Sequence, residues 1–559
     1  MKSDSRRLTA SVYRGAGILA AAFLAAGALQ TLYAQVKTSE EGVPVTDALV
    51  IARCGKCHAR DERGNMPRIS SARSTPEGWQ DAVKRMVVLN GLSVTAPEAR
   101  LIVRYLSSSH GLAPEEARPV MYNPERRIHE ESDIPNDRLR NACAKCHAFA
   151  VPLSWRRTRG EWKEFIDSHA ARQGFPPNEQ AVAFLAEAAP LHTPEWEAWN
   201  TRSGMPKLTG RWLVTASVPG RGTYCGDMQV DEAGDDEFTT RVNLRSVRDG
   251  SELHRTGRSA VYAGHAWRGR SAGGGTAGSA PDDPSSETRE VLWFAPDLTK
   301  AEGRWYWGQY QEFGFDVRLQ RASAQPALLA IDRLALRTGK RAERVRLIGD
   351  NFPARVTPGD LDFGPGVIVR GIVSGSPGEL VAEVDVDADA QPGKHAVRFH
   401  GAVLPGALAI YDRVDYVRVV PESAVASFGD SSHLKGSLQF EAIGYQRGPD
   451  GRLHTADDVE LGPLDVTWSM HVFHAAEDSS ADFVGQVSAS GLLIPASGNP
   501  ANNFDVWVTA TAKTEKNPQG VALTGKSYVV VTLPSYTLNG RRYVRDLDRW
   551  VDDGPAETH

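Results

Sequence analysis

The sequence has few cysteines, little net charge and hardly any long apolar run. Five cysteines in 559 residues are too few for a disulfide-stapled scaffold, and a formal net charge of −5 indicates neither nucleic acid nor an anionic membrane as a partner. Beyond residues 15–32, no segment is apolar for long enough to predict a membrane-spanning helix. The sequence also lacks a nucleophile elbow, a metalloprotease helix, a phosphate loop and a dinucleotide fingerprint, which argues against the commonest catalytic centres.

Four of the five cysteines belong to two Cys-x-x-Cys-His motifs. This motif is typical of c-type haem attachment, because its two thiols form thioethers with the haem vinyl groups and its histidine binds the iron. A CxxC redox pair would not explain the histidine after both motifs, and a closed zinc site usually takes its second ligand pair from elsewhere in the chain. We therefore predict two covalently bound haem c groups, held by Cys54, Cys57 and His58 and by Cys143, Cys146 and His147.

The N-terminus predicts export. Basic residues precede the apolar run of residues 15–32, and Leu32-Tyr33-Ala34 offers a cleavage site, so we expect residues 1–34 to be a signal peptide. An uncleaved anchor helix is the alternative, since the apolar run is barely long enough to span a bilayer. The predicted location is the periplasm of a Gram-negative bacterium. The fifth cysteine, Cys225, is expected to be a buried, unpaired thiol.

The segments that follow the two motifs repeat each other. Ser74-Thr75-Pro76-Glu77 predicts a helix start in which Glu77 reaches back to the cap, and Thr158-Arg159-Gly160-Glu161 has the same pattern. The first predicted helix carries Trp79, Ala82, Val83 and Met86 and ends near Asn90-Gly91; the second carries Trp162, Phe165, Ile166 and His169 at the same offsets. Both sets form the apolar stripe of an amphipathic helix, so Trp79 matches Trp162 and Met86 matches His169.

Methionine and histidine are the residue types that complete a six-coordinate c-type haem. We therefore predict Met86 as the sixth ligand of the first haem and His169 as that of the second, the alternative being that both merely pack in the interior. Met66 and Met205 are competing candidates; Met121, His110, His129 and His192 are weaker ones. Because thioether sulfur favours ferrous iron, the first haem should have the higher potential and electrons should run from the second haem to the first.

The chain becomes rich in predicted strands beyond residue 205. Phe313, Phe315, Val317 and Leu319 alternate with polar residues, as do Leu380, Ala382, Val384 and Val386. Two acidic turn clusters, 448–451 and 455–458, do not fit the spacing of a calcium-binding EF-hand loop. The predicted organisation is an all-α di-haem cytochrome c domain (35–205) followed by three all-β domains: an antiparallel barrel (206–325), an immunoglobulin-like sandwich (326–420) and a C-terminal immunoglobulin-like sandwich (421–559).

A leader, two haem motifs and three β domains in this order resemble the α (large, di-haem) subunit of quinohemoprotein amine dehydrogenase. The resemblance implies a heterotrimer with a β-propeller subunit and a small subunit that carries cysteine tryptophylquinone, where primary amines are oxidised to aldehyde and ammonia. It further implies that this chain passes electrons to a soluble cytochrome c or a cupredoxin. The chain would then be the electron-transfer subunit of an oxidoreductase acting on CH–NH2 donors, with no amine-oxidising catalytic residue of its own.

Two other interpretations remain open at the level of sequence. A di-haem cytochrome c peroxidase would need one haem with a vacant sixth position and would turn over hydrogen peroxide. A haem-bearing surface protein would use its β domains to bind a partner or a polysaccharide. Co-purification of a small quinone-bearing subunit separates the family interpretation from both.

Overall fold

The structure is a computed structural model of the full chain. It describes residues 40–121, 134, 136–144, 147–202, 207–274, 280–308, 311–429, 434–473, 481–498, 500, 502–533, 537–538, 541–544 and 549–552. The predicted signal peptide, Cys146, His129 and Met205 lie outside these residues. The described residues form two compact units: one up to residue 202 together with 262–266, and one from residue 207 onward without that segment. The four predicted domain boundaries stay predictions.

Short helices dominate the first unit, and a two-stranded sheet accompanies them. The helices are α1 Ala48–Cys54, α2 Pro76–Asn90, α3 Ala96–Ser109, α4 Pro114–Ala117, α5 Asp137–Cys143, α6 Ala150–Leu153, α7 Arg159–Gln173, α8 Glu179–Ala188 and α9 Pro194–Asn200, with a 3₁₀ turn at Arg118–Val120. The two strands are β1 Ala72–Ser74 and β2 Trp155–Arg157.

The repeated helix predicted from the sequence is confirmed in both copies. Helix α2 begins after Thr75, whose hydroxyl accepts a hydrogen bond from the Gly78 amide, and ends at Gly91 in the left-handed region (φ 69°). Helix α7 begins after Thr158 and ends at Gly174 (φ 70°), so the two helices have the same length of 15 residues. The offset from Thr75 to Thr158 is also the offset from Gly91 to Gly174, and it defines the repeat.

The prediction of an all-α di-haem cytochrome c domain is wrong. Helices hold only 19% of the chain and strands about 44%, and no all-α cytochrome domain is evident among the described residues. Within the haem-motif region itself, β1 pairs with β2 in antiparallel register. The physical reason is that the residues just before each capping threonine must be extended for the cap to form, and two such segments can satisfy each other's backbone groups.

This strand pair relates the two copies by an approximate two-fold axis. Arg73 pairs with Arg156, Ala72 with Arg157 and Ser74 with Trp155. Arg73 and Arg156 are separated in sequence by the same number of residues as the capping threonines Thr75 and Thr158. The two indoles are bonded alike: Trp79 Nε1 donates to the carbonyl of His110 at 2.8 Å, and Trp162 Nε1 donates to that of Ala189 at 2.9 Å, although the two acceptors do not share the offset of the tryptophans. The internal repeat therefore extends to the packing of its tryptophans.

The second unit begins with a closed eight-stranded barrel, ordered β10-β3-β4-β5-β6-β7-β8-β9. Its interior is filled by aromatic side chains, among them the fully buried Trp212, Trp305 and Phe315. The alternating residues Phe313 to Leu319 lie on one face of the last strand and are all buried, as predicted. The strands are β3 Gly210–Val218, β4 Gly222–Gly234, β5 Glu237–Ser246, β6 Glu252–Tyr262, β7 Ala266–Gly273, β8 Thr288–Phe294, β9 Lys300–Trp307 and β10 Phe313–Arg321.

Two four-stranded sheets follow the barrel, ordered β11-β13-β16-β15 and β12-β18-β17-β14. They enclose one apolar cluster, to which the alternating residues 380–386 of β16 contribute as predicted. The strands are β11 Ala327–Ile331, β12 Ala335–Arg337, β13 Glu343–Asp350, β14 Leu361–Asp362, β15 Val367–Gly375, β16 Glu379–Val386, β17 Gly393–Phe399 and β18 Ala402–Tyr411, with a 3₁₀ turn at Pro358–Asp360.

The last part of the chain forms smaller sheets, ordered β19-β22-β23, β20-β28-β27-β24, β21-β26-β25 and β29-β30-β31. No helix within the described residues is long and apolar enough to cross a membrane. The strands are β19 Tyr416–Val420, β20 Ser423–Ser427, β21 Leu438–Gln439, β22 Glu441–Gln446, β23 Val459–Pro463, β24 Val466–Val472, β25 Gly485–Val487, β26 Leu492–Pro495, β27 Phe504–Lys516, β28 Ala522–Thr532, β29 Thr537–Leu538, β30 Arg541–Val544 and β31 Arg549–Asp552.

Candidate haem-binding sites

The first motif is a tight turn at the end of a helix. Cys54 is the last residue of α1, and its carbonyl accepts hydrogen bonds from the amides of Cys57 at 3.2 Å and His58 at 2.9 Å. Both thiols are free rather than joined in a disulfide. Burial, and then the neighbouring Cys57, raise the pKa of Cys54 above its usual value. The two sulfurs are therefore thiols on one short turn, as attachment to the two haem vinyl groups requires.

The histidine of the first motif is held by the backbone. His58 Nδ1 lies 2.9 Å from the carbonyl oxygen of Pro67, and since a carbonyl only accepts, Nδ1–H is the donor. This fixes the tautomer and leaves Nε2 with its lone pair, which is the atom that binds iron.

The second motif repeats this arrangement where the structure describes it. Cys143 is the last residue of α5 and is free, and burial raises its pKa. His147 Nδ1 lies 3.0 Å from the carbonyl oxygen of the adjacent Ala148, so here too Nε2 is left for a metal. Cys143 and Ile166, which lies one turn from His169 on α7, both border the apolar cluster of Ile134, Leu139, Phe149 and Ala181. The repeated helix and the second motif thus share one apolar cluster.

Met86 lies on the helix that shares an apolar cluster with the first motif. Cys54 borders the apolar cluster that contains Trp79 and Val83 of α2. Met86 is half-buried, and its sulfur is 3.7 Å from Asn90 Nδ2. The next residues, Val87, Val88 and Leu89, are 41%, 69% and 72% exposed. A porphyrin needs such apolar surface around it, so this helix end is compatible with a haem.

His169 lies close to the second motif. It is half-buried and its ring stacks on Phe165 with centroids 6.0 Å apart and planes at 13°. Burial lowers the pKa of His169, and His147 and Arg172 lower it further. A lowered pKa favours the neutral imidazole, which is the form that binds a metal.

Several competing ligand candidates have other roles in the structure. Met66 is fully buried in the apolar cluster with Trp79. His110 is buried with Nε2 3.1 Å from the Val43 carbonyl, and burial lowers its pKa to about 4. His192 Nε2 lies 2.7 Å from the Glu41 carbonyl. Met121 is half-buried. Met86 and His169 as sixth ligands stay predictions, supported by their equivalent positions.

Sequence reasoning missed a buried ionic network on the approximate two-fold axis. Arg73 donates to both oxygens of Glu116, at 2.7 and 2.8 Å, and Arg156 Nε donates to the same carboxylate at 3.3 Å. Thr193 Oγ1 and the Ala113 amide also donate to it, at 2.9 and 2.8 Å. Burial alone would raise the pKa of Glu116, but the two arginines outweigh it and hold the pKa at about 2. One carboxylate therefore links both repeats.

A signal for this network exists in the sequence. Arg73 and Arg156 are separated by the same offset as the capping threonines Thr75 and Thr158, so extending the repeat slightly toward the N-terminus would have paired them. Glu116 lies between the repeats and has no counterpart to reveal it. Cys225, in contrast, is as expected: free and 4% exposed, with burial raising its pKa to about 12.

The residues present fit haem c. The described motif cysteines are free, both histidines keep Nε2 available, and a half-buried sulfur or imidazole lies on the helix that shares an apolar cluster with each motif. Among the described residues, no three His, Cys, Asp or Glu side chains converge as metal ligands. By fold and site, the molecule is a multidomain haem-binding chain whose haem motifs precede a β-barrel and further β-sheets.

Comparison with sequence-family models identifies the family. Residues 45–185 match the haem-binding domain of the quinohemoprotein amine dehydrogenase α subunit, and residues 205–322, 325–412 and 417–540 match domains II, III and IV of the same subunit. These matches run in order along most of the sequence. The chain therefore belongs to the quinohemoprotein amine dehydrogenase α-subunit family.

No match was found among curated proteins. Solved structures that resemble parts of the chain include a redesigned β-barrel (15% identity, 21% of this chain and 92% of that chain, TM-score 0.17). They also include a chimeric titin Z1Z2 (14% identity, 38% and 98%, TM-score 0.16) and the Yersinia pseudotuberculosis adhesin InvE (12% identity, 39% and 67%, TM-score 0.14). Such low scores carry no argument about function.

Proposed function

We propose that this chain is the electron-transfer subunit of a periplasmic quinohemoprotein amine dehydrogenase and carries two covalently bound haem c groups. The observation that carries the proposal is the doubled motif: each copy combines a CxxCH turn with a packed helix presenting Met86 or His169. The family assignment supports it independently, because the matched subunit belongs to an amine dehydrogenase and has a haem-binding domain.

The residues of this chain attach, orient and shield the cofactor. Each thiol S–H adds across a vinyl C=C, which forms a thioether without net oxidation. The Pro67 carbonyl fixes the His58 ring, and the Ala148 carbonyl fixes that of His147. When bound, haem iron supplies one-electron cycling between its ferric and ferrous states.

The sixth ligands are proposed to give the electron path its direction. Met86 would hold the first haem and His169 the second; because thioether sulfur favours ferrous iron more than imidazole does, electrons would run from the second haem to the first. A chain with both iron positions filled offers no open site for peroxide, and this disfavours the peroxidase alternative.

The partners are proposed from the family resemblance. A small subunit with cysteine tryptophylquinone would oxidise a primary amine to aldehyde and ammonia, and a β-propeller subunit would complete the heterotrimer. The two electrons from each amine would leave one at a time through this chain to a soluble cytochrome c or a cupredoxin. No described residue of this chain is assigned to amine oxidation.

Isolation of the native complex tests the proposal. A tagged full-length chain, purified from the periplasm of its host, should bring down a small polypeptide that stains for a redox-cycling quinone. A haemochrome assay should give two haems per chain, and the mature N-terminus should lie near Gln35. One haem per chain, or a complex without a quinone-bearing subunit, would contradict the proposal.

A further inference from the structure

Arg68 has a left-handed backbone beside the residue that holds the first motif histidine. Its φ is 65°, in a region that residues with a Cβ adopt only under strain. Pro67 precedes it, and the Pro67 carbonyl oxygen lies 2.9 Å from His58 Nδ1. The strained residue therefore adjoins the peptide group that fixes the His58 ring.

Pro67 and Arg68 are the central residues of a tight turn. The Met66 carbonyl accepts hydrogen bonds from the amides of Ile69 at 3.1 Å and Ser70 at 2.9 Å. Proline at the second position of a turn and a positive φ at the third are the features of a type II turn. Glycine or asparagine is expected at that third position, because either tolerates a positive φ, and arginine is not.

The type of this turn decides where the Pro67 carbonyl points. The carbonyl belongs to the central peptide group, and turns of types I and II differ by a flip of that group. A type I turn, which suits an ordinary residue such as arginine, would point the Pro67 oxygen away from His58. The left-handed backbone of Arg68 is thus what keeps the acceptor 2.9 Å from Nδ1.

The chain on both sides of the turn is anchored. Met66 is fully buried, and its amide donates to Ser70 Oγ at 2.8 Å. Ser70 is buried as well, and its carbonyl accepts a hydrogen bond from the Val43 amide at 2.8 Å. Before the turn, the Val45 amide donates to the Gly64 carbonyl at 2.9 Å. A change at Arg68 should therefore act on the central peptide group rather than displace the whole loop.

The second repeat holds its histidine without such a turn. His147 Nδ1 lies 3.0 Å from the carbonyl oxygen of the adjacent Ala148. None of residues 147–158, all of which the structure describes, has a positive φ. The first repeat has six more residues between its motif histidine and its capping threonine (58 to 75) than the second (147 to 158), and the turn lies in this longer segment.

The side chain of Arg68 does not account for the strain. Its Nη2 lies 3.1 Å from Glu164 Oε2, but the two side chains are 63% and 64% exposed. Such an exposed ion pair contributes little to stability, because water screens it. What the left-handed backbone does achieve is the direction of one carbonyl, and strain of this kind is typical of functional sites.

We propose that Arg68 is a positioning residue for the first haem: its left-handed backbone aims the Pro67 carbonyl at His58 and thereby lowers the reduction potential of that haem. This deepens the proposed function and rests on it, because it requires a haem at His58. An Nδ1–H that donates to a carbonyl makes Nε2 a stronger electron donor to iron, which stabilises the ferric state. Arg68 acts through the Pro67 carbonyl.

Two uncharged substitutions of Arg68 form a matched pair. Both remove the ion pair with Glu164, but asparagine tolerates a positive φ and the β-branched valine does not. The holo-complex is titrated spectroelectrochemically, and the first haem is assigned as the one lost in Cys54→Ala. At a fixed ambient potential, Arg68→Val should raise the reduced-to-oxidised ratio of that haem about three- to tenfold relative to Arg68→Asn, which should stay close to wild type.

Two further readouts separate positioning from general loosening. The second haem is an internal control, and its potential should be the same in both variants, because His147 is bonded to its own neighbour. In the ferrous protein, the Nδ1 proton of His58 should exchange with solvent faster in Arg68→Val than in Arg68→Asn, since its acceptor has turned away. Arg68→Asn should also raise the urea midpoint, because it relieves the backbone strain.

The outcomes distinguish this proposal from the proposed function. Fewer than two haems per wild-type chain would refute the proposed function before any potential is measured. With two haems present, equal first-haem potentials in Arg68→Val and Arg68→Asn would overturn the role of Arg68 alone, and so would equal shifts of both haems in Arg68→Val. If Arg68→Val does not fold, Arg68→Thr, which is also β-branched, takes its place, and an unmoved first potential in that variant is incompatible with the proposal.

Discussion

The two haem-binding repeats share their scaffold and differ in their chemistry. Each has a threonine cap, a buried tryptophan bonded to a backbone carbonyl and a left-handed glycine at the helix end, and one constant offset in sequence relates all three features. Where the cofactor would lie, however, Met86 replaces His169. The positions that the repeats share are those that begin, pack and end each helix, and the position at which they differ is the one predicted to bind iron.

Removal of one haem attachment site should produce the largest difference between the two repeats. Cys143→Ala should reduce the haem content from two per chain to one and leave the first haem's spectrum intact, because each motif holds its own cofactor. A pyridine haemochrome assay with mass spectrometry measures this. Cys225→Ala is the control and should retain both haems, since Cys225 is a buried residue of β4 outside both motifs. A chain that still carries two covalent haems after Cys143→Ala would contradict the assignment.

Loss of the carboxylate between the repeats should destabilise both at once. Glu116→Gln leaves the buried Arg73 without its counter-charge, which should cost about 3–5 kcal/mol of unfolding free energy. Urea denaturation followed by haem absorbance reports it. Glu98→Gln removes the half-buried partner of the exposed Arg53 and should have a far smaller effect. If Glu116→Gln and Glu98→Gln have similar urea midpoints, the buried network is not what couples the stability of the two repeats.

Exchanging the proposed sixth ligands should make the repeats alike. Met86→His should lower the potential of one haem, and the near-infrared band typical of methionine-ligated ferric haem should disappear, because imidazole favours ferric iron more than thioether does. His169→Met should raise the other potential and slow electron exit. If the band survives in Met86→His, another methionine is the ligand, and Met205 becomes the first candidate.

The loss of folding stability at acid pH should depend on Glu116. Its pKa is held at about 2, below that of an unfolded carboxyl, so its contribution is complete above the unfolded pKa and is lost as the pH falls toward 2. Wild-type stability should therefore decrease between about pH 4.5 and 2, and Glu116→Gln should flatten this part of the curve. Thermal unfolding across this pH range measures the slope. An unchanged slope would place the acid sensitivity in other carboxylates.

The smallest predicted effect tests whether the scaffold is truly repeated. Trp79→Phe and Trp162→Phe each remove one indole hydrogen bond to a carbonyl that also accepts a backbone amide, from Ser74 and Arg157 respectively. Each should cost about 1 kcal/mol of unfolding free energy, and the two costs should be similar. If the two costs in unfolding free energy differ widely, the repeats are equivalent in backbone geometry but not in how their tryptophans contribute to stability.

Local patterns predicted the repeated helices well, and non-local pairing was not predictable in the same way. Caps, apolar offsets and the helix-ending glycines identify α2 and α7 almost to the residue, because these signals lie within one helix. The pairing of β1 with β2 joins two very short segments that are far apart in sequence and has no hydrophobic period, so the region was wrongly predicted to be all-α. For the same reason, the proximity of Arg157 to Phe165 could not be read from a helix pattern.

The single carboxylate between the repeats limits how the first unit can be divided. Arg73 and Arg156 occupy equivalent positions of the repeat, but the Glu116 carboxylate that both contact comes from the segment between the repeats and exists once. A cut on either side of Glu116 leaves one of the two buried arginines without its counter-charge. The two repeats are therefore expected to be exchanged or transplanted successfully only as one piece.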